Sequence, residues 1–323
     1  MKKCLFALFL ILGTVIGSGF STGKEVVVFF SRFGYYSLFF IPLAGVLFYF
    51  TFYFLMTKGL KKIRGKSNSK FIPILMLICC TVFSASMFAG IGNCTLSSPK
   101  IIEIILLVLV FILCFFACFK KMKFLSVTNL ILIPLLLLII LIFFICEIPN
   151  ASFVSLPKTN HVVGIFGGAF FCVLYIILNV SLSSIVIAKS GEGLTKKQIR
   201  LVSLVSAIAL SVFILLINIL VICNYDLISA DMPLLALSSG VFSFLLRFVI
   251  MVGCLTTLLS TIYIAADSCR SLKIRDRFIF IICSILPFII SAIGFSSIVS
   301  WLYPFVSFLG VFILFLLFFT KAT

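Results

Sequence analysis

Long apolar runs broken by short polar punctuation are the dominant pattern of this chain. A run of roughly 17 to 25 residues is what a helix needs to cross the hydrocarbon core of a bilayer. Such runs lie at about 4–30, 35–57, 71–93, 100–119, 124–146, 161–188, 200–223, 233–266, 278–294 and 297–319. None alternates with period two, so the runs predict helices and not the strands of a barrel. The expected fold class is an all-α polytopic membrane protein with ten transmembrane helices.

The polar punctuation tests that count. With the N-terminus in the cytoplasm, the inside segments are 1–3, 58–70, 120–123, 189–200, 270–277 and 320–323. Twenty of the 25 Lys and Arg residues fall there, four (Lys24, Arg32, Lys100, Lys158) fall on the other face, and Arg247 lies within a run. Cytoplasmic loops carry such an excess of basic residues, and one helix too many or too few would invert every later loop. Both termini are therefore expected inside.

Composition agrees, at 63% hydrophobic and 10% charged residues, with a net charge of +17. In a soluble protein that charge would suggest nucleic acid. Here the basic clusters sit between apolar runs and face an anionic membrane surface instead, so no nucleic-acid partner is expected. The twelve cysteines lie almost entirely inside the runs, form no CxxC pair, and are accompanied by a single His161. They read as small buried hydrophobes, not as a metal site.

One stretch is unlike the rest: Gly13 to Glu25, GTVIGSGFSTGKE. As the end of a secretory signal it would follow MKK and an apolar core. Removing the first run, however, would leave nine helices and an outside N-terminus, with no gain in explaining the loops. As a phosphate loop it would need GxxxxGK followed by Ser or Thr. Here Ser18 stands five positions before Gly23, and Glu25 follows Lys24. What is left is a membrane helix broken on purpose.

A second glycine cluster makes that reading more specific. The chain divides near Glu147-Ile148-Pro149-Asn150 into residues 1–147 and 150–323, five runs in each. An odd number of spans per half means the second half enters from the opposite side, so two like halves would form a five-plus-five inverted repeat. Each half opens with a glycine-bearing run, one with Gly13, Gly17, Gly19 and Gly23, the other with Gly164, Gly167 and Gly168. Glycine lets the backbone leave helical geometry cheaply, and paired interruptions point to a transporter's binding site. Helices 1 and 6 are thus expected to be interrupted, with Gly17, Ser18, Gly19, Ser21, Gly164, Gly167 and Gly168 lining a solute site. The competing reading is close helix packing, because Gly13/Gly17 and Gly164/Gly168 also fit small-xxx-small spacing.

IGSGFSTGKE resembles the first-helix signature of YkvI-type bacterial membrane proteins, a glycine-small-glycine-Phe turn followed by a small residue, Gly and a polar-Glu pair. MFAGIG at Met87–Gly92, LTT at Leu255–Thr257 and WLYPFVSFLG at Trp301–Gly310 are similar to further parts of that pattern. Lys24 stands where the pattern has glutamine. The resemblance places the chain with the amino acid–polyamine–organocation superfamily. It implies a LeuT-like fold, a bacterial cytoplasmic membrane and a secondary transporter. In such folds a sodium site joins carbonyls of the broken first helix to two hydroxyls of the eighth, and the resemblance implies Thr256 and Thr257 for that role. Membrane Ser and Thr also bond back to their own helix, and proton coupling through Glu25 is the rival.

Charges within the membrane default to functional candidates. Glu25 follows the break by about six residues, roughly 9 Å at helical rise, which predicts a place toward the outer mouth. Lys24 and Glu25 read either as gate residues or as an interfacial pair. Arg247 reads as a snorkelling side chain or as a partner for Glu25.

The function expected is secondary active transport of a small organic solute, an amino acid being the candidate, by alternating access around helices 1 and 6 with sodium coupling. The alternative is a transporter-fold sensor, similar to germinant-receptor subunits, that binds without transporting. No catalytic constellation is present, so no enzyme is expected. No cofactor beyond sodium is implied, and the partners are the bilayer and the solute.

Overall fold

A computed structural model describes residues 2–59, 71–95, 100–119, 123–147 and 161–319, and it is all-helical over them. The boundary between the two expected repeats, the basic loops at 60–70 and 120–122, and residues 320–323 lie outside the described residues. So does Lys158.

Seven described helices are long and apolar enough to cross a membrane: Ser31–Gly59, Phe71–Thr95, Lys100–Phe119, Gly164–Ser190, Lys196–Cys223, Gly240–Ser271 and Phe295–Phe315. Two shorter apolar helices, Lys3–Val15 and Ile133–Glu147, accompany them. Two of the shortfalls against the apolar runs have visible causes. The first segment, residues 2–29, stops being helical after Val15, and residues 276–291, which open on Asp276 and Arg277, fall short of the length a span needs. Polar residues set sharp ends elsewhere. Thr195 and Gln198 form a reciprocal capping box at the start of Lys196–Cys223, satisfying two of the N–H groups a helix start leaves open.

The surface is inverted relative to a water-soluble protein. Phe39, Ile101, Phe166, Val241 and Trp301 stand exposed, while Ser84, Ser86, Asn179, Ser181, Asn218 and Thr257 are buried. An apolar exterior of this extent marks a lipid or partner surface.

In chain order the main helical segments are residues 2–29, 31–59, 71–95, 100–119, 123–147, 161–190, 196–223, 240–271, 276–291 and 295–319. Most of their principal contacts follow a rule. The first packs on the fifth, and the sixth packs on the tenth. The second packs on the sixth and the seventh on the first; the fourth on the eighth and the ninth on the third; the fifth on the eighth and the tenth on the third. Each of these contacts recurs when both partners are advanced by five positions. The third against the eighth and the second against the seventh map onto themselves.

The sixth segment departs from the sequence expectation. His161–Ser190 is one continuous helix, so the interruption expected at Gly164, Gly167 and Gly168 is absent. A Cβ at Gly164 would run into the Tyr36 ring, at Gly167 into Phe33 and at Gly168 into Phe40. The missing side chains admit aromatic rings from the turn and helix of the second segment. This is the close-packing use of small residues, with rings instead of backbone as the guest.

Candidate functional site

The first segment is broken twice. Helix Lys2–Val15 ends before Ile16-Gly17, a single turn Ser18–Ser21 follows, and Thr22-Gly23 then separates it from helix Lys24–Phe29. Gly23 has φ +81°, a left-handed conformation in which a side chain is strained. Such breaks release backbone groups that lipid cannot satisfy, so each must find a partner.

The hydroxyls of GSGFSTGKE supply two such partners. Ser21 Oγ donates to the Gly17 carbonyl at 2.8 Å and Thr22 Oγ1 to the Gly19 carbonyl at 3.2 Å. The Ile16 carbonyl is met from the eighth segment, by Thr257 Oγ1 at 3.0 Å. The Thr22 carbonyl is met by the Leu234 N–H at 3.0 Å, from the short helix Pro233–Leu237. Gly253 lets the eighth segment press onto the break, since a Cβ there would collide with Ser21 Oγ. Gly17 is likewise hemmed in by Met87 and Thr257, at 3.1 and 3.2 Å from where its Cβ would be.

Of the two threonines implied as cation ligands, the structure brings one to the break. Thr257 crosses to Ile16, whereas Thr256 donates back to the Gly253 carbonyl at 3.1 Å. Ser260 also bonds within its helix, to the Thr256 carbonyl at 2.9 Å. The donors around the break are neutral oxygens, the kind a hard cation prefers. Ile16 O and Thr257 Oγ1 already converge, and Thr256 Oγ1 would have to turn to join them.

Glu25 is not open to the surface. It is 1% exposed, and its carboxyl folds back onto the break so that a Cβ on Gly19 would overlap its Oε1. The turn at Thr22-Gly23 redirects the chain, so the simple helical climb from the break to Glu25 does not occur. Neither carboxyl oxygen has a hydrogen-bond partner. Arg247 does not pair with it; its guanidinium donates to the Cys94 carbonyl at 3.4 Å. Lys24, 5% exposed, donates Nζ to the Ala230 carbonyl at 2.7 Å, with Asp231 close by. It is therefore held by the loop that follows the seventh segment and is not hydrogen-bonded to Glu25.

Sequence reasoning missed the residues that surround Glu25. Tyr175 of the sixth segment is fully buried, with Glu25, Tyr303 and the Asn179 side chain in its neighbourhood. Its ring sits among Phe29, Phe30 and Phe48, at centroid distances of 5.3, 5.2 and 6.0 Å. Asn179, one turn on, donates to the Tyr175 carbonyl at 3.0 Å. Ser86 and Tyr303 share a short hydrogen bond, and Tyr303 stacks on Phe83 at 4.3 Å. The available signal was a tyrosine and an asparagine in mid-run on the sixth segment, which the glycines before them overshadowed. Gly164, Gly167 and Gly168 do not join this cluster; they face Tyr36, Phe33 and Phe40.

Broken helices, buried polar residues and a lipid-facing exterior define a multi-pass membrane protein. The chain is 24% identical over 319 residues to a protein of Bacillus subtilis (strain 168) described as "Uncharacterized membrane protein YkvI", an alignment covering 92% of this chain and 90% of that one. No family model matches.

Proposed function

We propose that this chain is a secondary active transporter of a small organic solute, built as a five-plus-five inverted repeat in a cell membrane with both termini cytoplasmic. The observation that carries the reading is the doubly broken first segment, whose freed carbonyls meet hydroxyls in the interior of the bundle. Irregular backbone at membrane depth is tolerated only where it is buried in protein or lines a cavity, and it is where transporters hold solutes and ions. Packing that recurs on advancing both partners by five supports two repeats of five, consistent with divisions at 1–147 and 150–323. The similarity to a membrane protein over most of both chains supports the setting.

The solute binds at the break of the first segment. Gly17, Ser18, Gly19 and Ser21 form its backbone side, and the polar cluster of the sixth segment faces them in place of Gly164, Gly167 and Gly168. A sodium ion bound by the Ile16 carbonyl and the hydroxyls of Thr257 and Thr256 couples the solute to the ion gradient. It does so by replacing one interhelical hydrogen bond with a bridge between the same two helices.

Counterflow in proteoliposomes tests this directly. Purified protein is reconstituted, loaded with unlabelled candidate solutes, and assayed for uptake of the labelled solute with and without a sodium gradient. Sodium-dependent exchange that disappears in Thr257→Ala supports the proposal, and binding without any exchange defeats transport.

A second reading, a sensor that binds without transporting, draws on the unbroken sixth segment. A continuous helix there leaves one broken helix where the transporter reading asked for two. Solute-dependent stabilisation with no counterflow would select it.

A further inference from the structure

We infer that Cys269 and Cys283 are an oxidation site for hydroperoxides, a thiol pair that closes to a disulfide between the eighth and ninth segments. The site shares no residue with the break of the first segment and does not depend on what the protein carries.

Three cysteines far apart in sequence meet where three segments begin or end. Cys269 stands near the end of helix Gly240–Ser271, and Cys118 near the end of Lys100–Phe119. Cys283 lies in a π-turn, Ile281–Ile285, close to the start of the ninth segment. All three are buried free thiols. The Cys269 and Cys283 sulfurs are 3.9 Å apart, and the Cys118 thiol also contacts that of Cys283. A disulfide holds its sulfurs about 2 Å apart, so the Cys269–Cys283 pair has to close by roughly 2 Å. Single π-turns inside helices occur often at functional sites, and this one sets a thiol against two others. Cysteine that merely fills space needs no such company; Cys172, for example, turns its thiol to the Phe40 carbonyl.

An exposed basic turn covers the pair. Arg270, Lys273, Arg275 and Arg277 are all exposed, and Arg270 donates to the Cys118 carbonyl, which draws its guanidinium to the cluster. Reactive cysteines sit in electropositive surroundings, because the thiolate is the attacking form. The turn is tied directly to one of the thiols' own residues, since the Ile274 N–H donates to the Cys269 carbonyl at 3.0 Å. Among the described residues, Lys273 alone combines a side chain with a positive φ, at +60°. A side chain is strained in that conformation, and local opening of such a turn lets a small uncharged oxidant reach the sulfurs.

The chemistry balances with the two thiols and one hydroperoxide. Cys269, as thiolate, attacks a peroxide oxygen; an S–O bond forms, the O–O bond breaks, and the departing oxygen takes up the thiol's proton. With hydrogen peroxide that product is water. Cys283 then attacks the sulfenic sulfur, so that an S–S bond forms, the S–O bond breaks and a second water leaves. The thiols give up two electrons and the peroxide accepts them. A thiol reductant reverses the bond by exchange. The topology proposed above puts this turn in the cytoplasm, where disulfides are usually transient and catalytic or redox-sensing.

The test exposes the full chain in detergent to graded hydrogen peroxide, blocks the remaining thiols with N-ethylmaleimide and maps the peptides by mass spectrometry. The expected product is a Cys269–Cys283 cross-linked peptide, about 2 Da lighter than its two halves. It should form at lower peroxide than oxidation of Cys79, Cys172 or Cys254, and disappear on adding dithiothreitol. In Cys283→Ser the link is expected to be lost and Cys269 to be labelled by dimedone, which reports sulfenic acid. Melting temperature and elution profile establish that the variant folds, and the peptide map of the parent chain decides the matter if it does not.

Cys269 and Cys283 that stay reduced while other thiols oxidise overturn the inference. So does a parent chain in which peroxide joins Cys283 to Cys118 instead, or a folded Cys283→Ser in which dimedone spares Cys269.

Discussion

Thr257 donates its hydroxyl to the carbonyl of Ile16 at 3.0 Å, across 241 positions of sequence. The bond joins the eighth segment to the place where the first stops being a helix. Removing it strands a buried carbonyl, which costs roughly 1–3 kcal/mol. Thr257→Ala is therefore expected to lower unfolding stability by that amount, and Thr257→Ser to retain most of it. Chemical denaturation in one detergent, with both variants alongside the parent, checks this.

Gly19 and Glu25 should behave as a pair. Gly19→Ala places a methyl group where the Glu25 carboxyl rests. Overpacking of this kind costs about 1–3 kcal/mol. Truncating Glu25 removes the obstacle, so Gly19→Ala is expected to be far better tolerated in a Glu25→Ala background. A double-mutant cycle on melting temperature should show a large coupling energy, and additive effects would mean that the two are not in contact.

Asn218 ties the turn after the first segment to the seventh. Ser31 Oγ donates to its Oδ1 at 2.8 Å, and its Nδ2 donates to Ser37 Oγ at 2.9 Å. Asn218→Leu removes both bonds. Ser37 Oγ keeps its bond to the Gly34 carbonyl at 2.6 Å, whereas Ser31 Oγ is left with only a long one to the Val26 carbonyl at 3.4 Å, at a cost of roughly 1–3 kcal/mol. Asn218→Asp can still accept from Ser31 but no longer donates to Ser37 and brings a buried charge without a countercharge. Both variants are expected to unfold at a lower temperature than the parent.

Gly164 and Gly168 are expected to matter for packing and not for ligand affinity. Gly168→Ala should destabilise the protein through Phe40, with relief in a Phe40→Ala background. Solute affinity of the folded variants, measured by solute-dependent thermal stabilisation, is expected to stay within about threefold of the parent, a difference of well under 1 kcal/mol. A large affinity loss without a stability loss would return these glycines to the binding site.

These glycines also show where the sequence stops being informative. Membrane character and helical form were legible because twenty-residue apolar runs have few other uses. The break in the first segment was legible because four glycines there came with Ser18, Ser21 and Thr22, which can satisfy what a break releases. A glycine cluster alone has two physical meanings, since the absent Cβ both frees the backbone and admits a neighbour. At Gly164 and Gly168 the deciding neighbours, Tyr36 and Phe40, lie more than a hundred positions away. The depth of Glu25 was hidden for a related reason: one left-handed residue, Gly23, turns the chain, and no count of helical rise anticipates it. The family resemblance implied Thr256 and Thr257 alike, and which of the two crosses to Ile16 and which bonds back to its own helix was not legible in it.

The loop that follows the seventh segment grips the break at three points. Leu234 donates its N–H to Thr22, Ala230 accepts from Lys24, and Leu234 and Pro233 pack over Gly23. In kinematic terms this removes degrees of freedom. Residues 230–237 cannot swing as a flap while the first segment stands still, nor can that segment tilt and leave them behind. Whatever motion this protein makes, those two stretches are one lever, and a crosslink placed between them should leave its travel unimpeded.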